Sequence, residues 1–63
     1  MNGFYNKVVE ILKRYGFYLV RHGKGDHEIW GNGKVNVTVD RHTKSRFTAN
    51  KTLKDAGISE RIR

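Results

Sequence analysis

Three histidines, His22, His27 and His42, lie in a 63-residue chain with thirteen Lys and Arg, six Asp and Glu, and no cysteine. Two of them fall within the stretch 21–30, RHGKGDHEIW, together with Asp26 and Glu28. Histidine is the side chain whose ordinary pKa, about 6.5, lets it both take and give a proton near neutrality. Cleavage of RNA needs little more. A base draws the proton from the 2′-OH, an acid protonates the leaving oxygen, and cations stabilise the charge that develops on phosphorus. His27 can serve as acid or base, and Arg21, Lys24, Arg41, Lys44 and Arg46 can supply the cations. A histidine on a strand is also commonly structural or merely exposed, so the residue types alone leave both readings open. Asp26 can orient the His27 ring if it lies in the preceding turn, and is otherwise simply a turn residue after Gly25.

Other chemistries fit less well. His22, His27 and His42 with Asp26 and Asp40 have no recognised zinc spacing, and a net charge of +7 opposes a divalent cation; no metal or cofactor is expected. GKG at 23–25 lacks the strand-loop-helix context of a phosphate loop. For nucleophilic catalysis there is no cysteine, and no Ser or Thr stands beside a base. The positive charge instead suits a polyanion or an acidic protein. No apolar run approaches the roughly 20 residues needed to cross a bilayer, and the N-terminus has no signal-peptide pattern, so a cytoplasmic location and no membrane partner are expected.

These residues need elements to position them. Phe4, Val8, Ile11, Leu12 and Tyr15 recur at helical spacing, with Asn2 as a possible cap, Lys13 and Arg14 at the negative end of the dipole, and Gly16 as a stop. FYLVR at 17–21 reads as a strand, and HGKG turns the chain. DHEIW and KVNVTV are two more strands joined through GNG. Val35, Val37 and Val39 alternate with Asn36 and Thr38, so one face is buried and one is wet. A polar loop, DRHTKSRF, leads to a short helix in which Thr48 is the expected N-cap. Ala49, Thr52, Leu53 and Ala56 form its inward stripe, and Gly57 with Ile58 forms a Schellman stop. Residues 59–63 are expected to fray. The whole is one domain over 1–63, an α+β two-layer sandwich in which both helices cover the valine face of a three-stranded antiparallel sheet.

Hairpin register then decides which face carries His27. A two-residue turn at Asn32-Gly33 pairs Gly31 with Lys34, Trp30 with Val35 and His27 with Thr38, which sends Trp30 into the core and His27 to the open face. A three-residue loop with a bulge pairs Ile29 with Val35 and His27 with Val37, which turns the histidine under the helices. Burial of the indole and the commonest Asn-Gly geometry favour the first. Its corollary is that Glu28 points toward the valines, tolerable only near a sheet edge.

The chain resembles the HicA-type toxins, small mRNA interferases of type II toxin-antitoxin pairs. The resemblance rests on an amphipathic first helix ending in YGF, LVRHGKGDHEIW in place of a G-[WF]-x-x-x-R-x-x-G-S-H pattern, VTVDRH, and the closing TLKDAGIS. It implies a double-stranded-RNA-binding-like fold of helix, three strands and helix, and a catalytic role for His27. It further implies metal-independent endoribonuclease activity on mRNA and a cognate HicB-type antitoxin, which a basic toxin suits if that partner is acidic. Asp26 stands where the family most often has Ser. Asp40 and Arg41 replace a proline-containing segment ahead of His42, which is a secondary candidate. A non-catalytic double-stranded-RNA-binding module of the same architecture is the alternative.

Overall fold

The computed structural model describes residues 3–63. Its elements follow in the order α1 (Tyr5–Arg14), β1 (Tyr18–His22), β2 (His27–Gly31), β3 (Asn36–Asp40) and α2 (Arg46–Asp55). The strands form one antiparallel sheet in the order β1-β2-β3. This is the α+β arrangement that the periodicities predict. The expected cap Asn2 lies outside the described residues. The N-cap position of α1 is Phe4, whose side chain caps nothing, and its backbone N–H is instead donated to the Thr43 carbonyl at 2.8 Å.

Both helices end as their glycines dictate. After α1, Gly16 N–H bonds to Lys13 O and Phe17 N–H to Leu12 O. After α2, Gly57 N–H bonds to Lys54 O and Ile58 N–H to Leu53 O. These paired bonds satisfy carbonyls that a helix end would otherwise orphan, and the positive φ of the two glycines makes the turn possible. Phe17 and Ile58, the residues that follow, are thereby delivered into the core. There Val8, Ile11 and Leu12 of α1 meet Ala49, Leu53 and Ala56 at α2 and Trp30, Val37 and Val39 of the sheet.

Two local expectations are corrected. The N-cap of α2 is Ser45, not Thr48: its Oγ accepts from the N–H groups of Phe47 and Thr48, and Thr48 lies inside the helix. The apolar period hides this turn because Arg46 and Phe47 open it without facing the core, and Phe47 is 82% exposed. The β2–β3 connection is also longer than the two-residue turn. Gly31 pairs with Asn36, and residues 32–35 form the loop. Asn32 Oδ1 accepts from the N–H of Lys34 and of Val35, so the side chain builds the turn that the backbone of Asn32-Gly33 was expected to make. Val35 therefore sits in the loop, exposed, and does not extend the buried valine row.

Trp30 consequently faces Val37, and His27 faces Asp40. The register differs by two residues from that of the two-residue turn. Because side chains alternate with period two, the faces are unchanged. Trp30 is buried and His27 exposed, as that reading required. Residues 59–63, where fraying is the expectation, form no helix or strand but are tied down. Ile62 is buried, Asn50 bonds both its N–H and its carbonyl, and Arg14 pairs with Glu60 at 3.0 Å.

Candidate active site

The β1–β2 connection places the candidate histidine. Gly23 N–H bonds to His27 O at 2.8 Å, so the pair continues the ladder beyond its last strand partners, His22 and Glu28. A Cβ at Gly23 would lie 3.4 Å from His27 Cβ and 3.3 Å from its carbonyl oxygen. A side chain there would press on the backbone and Cβ of His27, and glycine leaves that flank open. The His27 ring has no hydrogen-bond partner among the described residues, and Lys24 is exposed in the turn beside it.

A β-bulge brings Arg21 to the same face. In β1 the register shifts between Leu19 and Arg21, so that Leu19 pairs with Trp30 but Arg21 pairs with Ile29. Ile29 and His27 are two residues apart on β2 and share the uncovered face. Without the extra residue Arg21 would stand opposite Glu28, on the helix side. The bulge thus re-aims one cation toward the histidine, a common use of this irregularity.

The helix side of the same sheet end holds a second polar group that the sequence only hints at. Glu28 is 5% exposed although β2 is the central strand, so proximity to an edge is not what makes it tolerable. Its Oε1 accepts from the Tyr5 hydroxyl at 2.6 Å and from Trp30 Nε1–H at 3.0 Å. His22 and Arg41 each approach Oε2 at 4.0 Å. Burial pushes the Glu28 carboxyl up, but the hydrogen bonds from Tyr5 and Trp30, with the charges of His22 and Arg41, outweigh it and hold the group below its ordinary value. On the other partner, burial and then the bond to Glu28 push the Tyr5 phenol up to about 12.

The remaining candidates divide between these two sides. Asp26 does lie in the turn, but its Oδ2 is 3.0 Å from His42 Nε2, so its carboxylate is directed at His42. Asp26 O also accepts from Arg41 N–H, and Asp40 Oδ1 accepts from His42 N–H. These bonds fasten the loop after β3 to the turn before β2. Arg41, His42 and Lys44 line a cleft of about 280 Å³ with Gly3, Tyr5, Asn6 and Thr43, and Arg46 opens α2. Of the five expected phosphate-binding cations, Arg21 belongs to the histidine face and Lys24 to the adjoining turn. Arg41 leans toward Glu28, and Lys44 and Arg46 belong to the layer beyond the sheet. His22, read as part of the turn, ends β1 instead. No group of three metal-ligating side chains converges among the described residues.

Fold and site together define a small basic α+β domain that carries an exposed histidine on an uncovered sheet face. A family model described as the HicA toxin of bacterial toxin-antitoxin matches residues 5–58. The chain belongs to this HicA toxin family, as its motifs led one to expect. Searches of curated proteins and of solved structures return no significant match. No described helix is long and apolar enough to cross a membrane.

Proposed function

We propose that this toxin is an endoribonuclease that cleaves mRNA in the cytoplasm, blocks translation and arrests growth, with His27 as general acid and base. The observation that carries the reading is the exposed imidazole at the start of β2, with Arg21 on its face, Lys24 beside it and Gly23 leaving its flank open. The neutral imidazole takes the proton of a ribose 2′-OH. The 2′-oxygen bonds to phosphorus, and the bond to the 5′-oxygen breaks. That oxygen is protonated by the imidazolium or by solvent, leaving a 2′,3′-cyclic phosphate and a 5′-hydroxyl end. Arg21 and Lys24 hold the phosphate and offset its developing charge. The steps use no metal or cofactor. A HicB-type antitoxin covers this face, and an acidic one matches the net charge of +7.

Induction of the wild type and of His27→Ala in a bacterial host without the antitoxin tests this reading. Growth arrest and fragmented mRNA are expected from the wild type alone. Equal arrest by both proteins refutes the role of His27. RNA that is bound, with affinity falling steeply with salt, yet left intact by the wild type identifies a binding module of the same architecture instead.

A further inference from the structure

The uncovered sheet face continues beyond His27 in a regular order. Three rows of cross-strand neighbours follow one another along β2. The first holds Gly23, His27 and Asp40; the second Arg21, Ile29 and Thr38; the third Tyr18, Gly31 and Asn36. Successive rows are two residues apart, about 7 Å, which is comparable to the step between phosphates in an extended single strand of RNA. The rows therefore present, in sequence, a histidine, a guanidinium and a phenol ring.

Tyr18 is 54% exposed, and its hydroxyl has no hydrogen-bond partner among the described residues. It stands opposite a glycine, and its hydroxyl lies about 4 Å from where a Cβ at Gly33 would be, so no side chain at position 31 or 33 shields the ring. Val20, also exposed, reaches over Gly31 from the same face, because a Cβ at Gly31 would meet Val20 Cγ2 at 3.1 Å. The result is a floor shared by Val20 and the Asn36 carboxamide, whose Oδ1 lies closest over Gly31, beside an aromatic ring, with the hydroxyl of Thr38 at its margin and Arg21 between it and His27. Single isolated exposed apolar residues need no explanation. An aromatic aligned with a cation and a proton-transfer group on one flat face is the arrangement on which unpaired bases stack while their phosphates are held.

Resting on the ribonuclease reading, we propose that Tyr18 is the stacking platform for a nucleobase of the substrate. The strand lies along the open face with its scissile phosphate at His27, the neighbouring phosphate at Arg21, and a base about 13 Å from His27 on Tyr18. The substrate is therefore single-stranded, since a base within a duplex has no free face to offer the ring.

The test is anisotropy of a fluorescein-labelled, mixed-sequence hexanucleotide in 2′-O-methyl RNA, which has no 2′-OH to attack and so reports binding without cleavage. A 16-base-pair RNA duplex serves as the second probe, and the proteins are the full chain with Tyr18 and its Ala, Phe and Trp variants, each checked for an unchanged unfolding midpoint. Tyr18→Ala is expected to bind the hexanucleotide tenfold or more weakly, Phe and Trp to bind within threefold of the wild type, and duplex affinity to be unchanged. Hexanucleotide affinity within twofold of the wild type for Tyr18→Ala overturns the proposal, as does an equal loss for single strand and duplex, or no binding by the wild type. Tyr18-dependent binding without any cleavage of ordinary RNA would sink the ribonuclease reading alone. His27-dependent cleavage with Tyr18→Ala binding unchanged would sink the stacking platform alone.

Discussion

Tyr5→Phe isolates the contact on which the buried side of β2 depends. Glu28 is 5% exposed, and its shortest hydrogen bond comes from the Tyr5 hydroxyl. The variant keeps the ring, so packing is preserved, and leaves the carboxylate with the indole N–H and with His22 and Arg41, each 4.0 Å from Oε2. A hydrogen bond to a charged group contributes about 1.5–3 kcal/mol, and an unmet buried acceptor adds its own desolvation cost. The expected loss at pH 7 is therefore about 2 kcal/mol, or about 8–16 °C in the unfolding midpoint of so small a domain. The pH dependence supplies a second signature. The carboxyl of Glu28 is held below its ordinary value, so its contribution is present above that value and disappears as pH falls through the folded-state value. The phenol of Tyr5 is raised from 10.0 to about 12, so its contribution is full below pH 10 and is lost as pH rises toward 12. The stability difference between wild type and Tyr5→Phe should form a plateau between about pH 5 and pH 10 and shrink on both sides. Urea unfolding at a series of pH values measures it. A difference below about 0.5 kcal/mol at neutrality, or one that is unchanged at pH 3, refutes the reasoning.

Two further outcomes follow from packing. Gly23→Ala brings a Cβ to 3.4 Å from that of His27; unfolding should change by about 1 kcal/mol, while RNA cleavage falls about tenfold because the imidazole is displaced. Steady-state cleavage set against urea midpoints separates the two effects, and unaltered cleavage counts against the openness of that flank. Ile62→Ala should cost about 2 kcal/mol by thermal melting, since Ile62 is 6% exposed in the core. A truly frayed tail would show no loss.

The division of charges across the sheet bears on how such a toxin is restrained. The histidine face offers the antitoxin an exposed, cationic, partly apolar surface, while Glu28 and Asp26 are already engaged by Tyr5, Trp30 and His42. If the partner docks on that face, as proposed, the carboxylate it meets in the cross-strand rows is Asp40, opposite His27 and already accepting from His42 N–H. Asp26, the departure from the serine usual in the family, has a structural account here: it draws His42 and the loop after β3 toward the turn that carries His27.

What the sequence determines by itself is whatever a short period or a local turn controls. Val8, Ile11 and Leu12 of the α1 stripe, the glycine stops after both helices, the inward set Ala49, Thr52, Leu53 and Ala56, and the order of elements all follow from spacing along the chain, whereas Tyr15, expected on that stripe, lies past the helix end and is exposed. The face of His27 was legible for the same reason. Strand alternation has period two, so a loop longer by two residues leaves the paired side chains of β2 and β3 on their expected sides, and only Val35, drawn into the loop, loses its place in the buried row. Only the tertiary structure decides the partners of polar groups. Glu28 is stabilised by a tyrosine twenty-three residues away in sequence, Asp26 turns to His42 and not to the adjacent His27, and a bulge in β1 brings Arg21 to the open face. The physical reason is that apolar burial is non-directional and averages over many residues, whereas a hydrogen bond or ion pair depends on a few ångströms between atoms that the fold alone brings together.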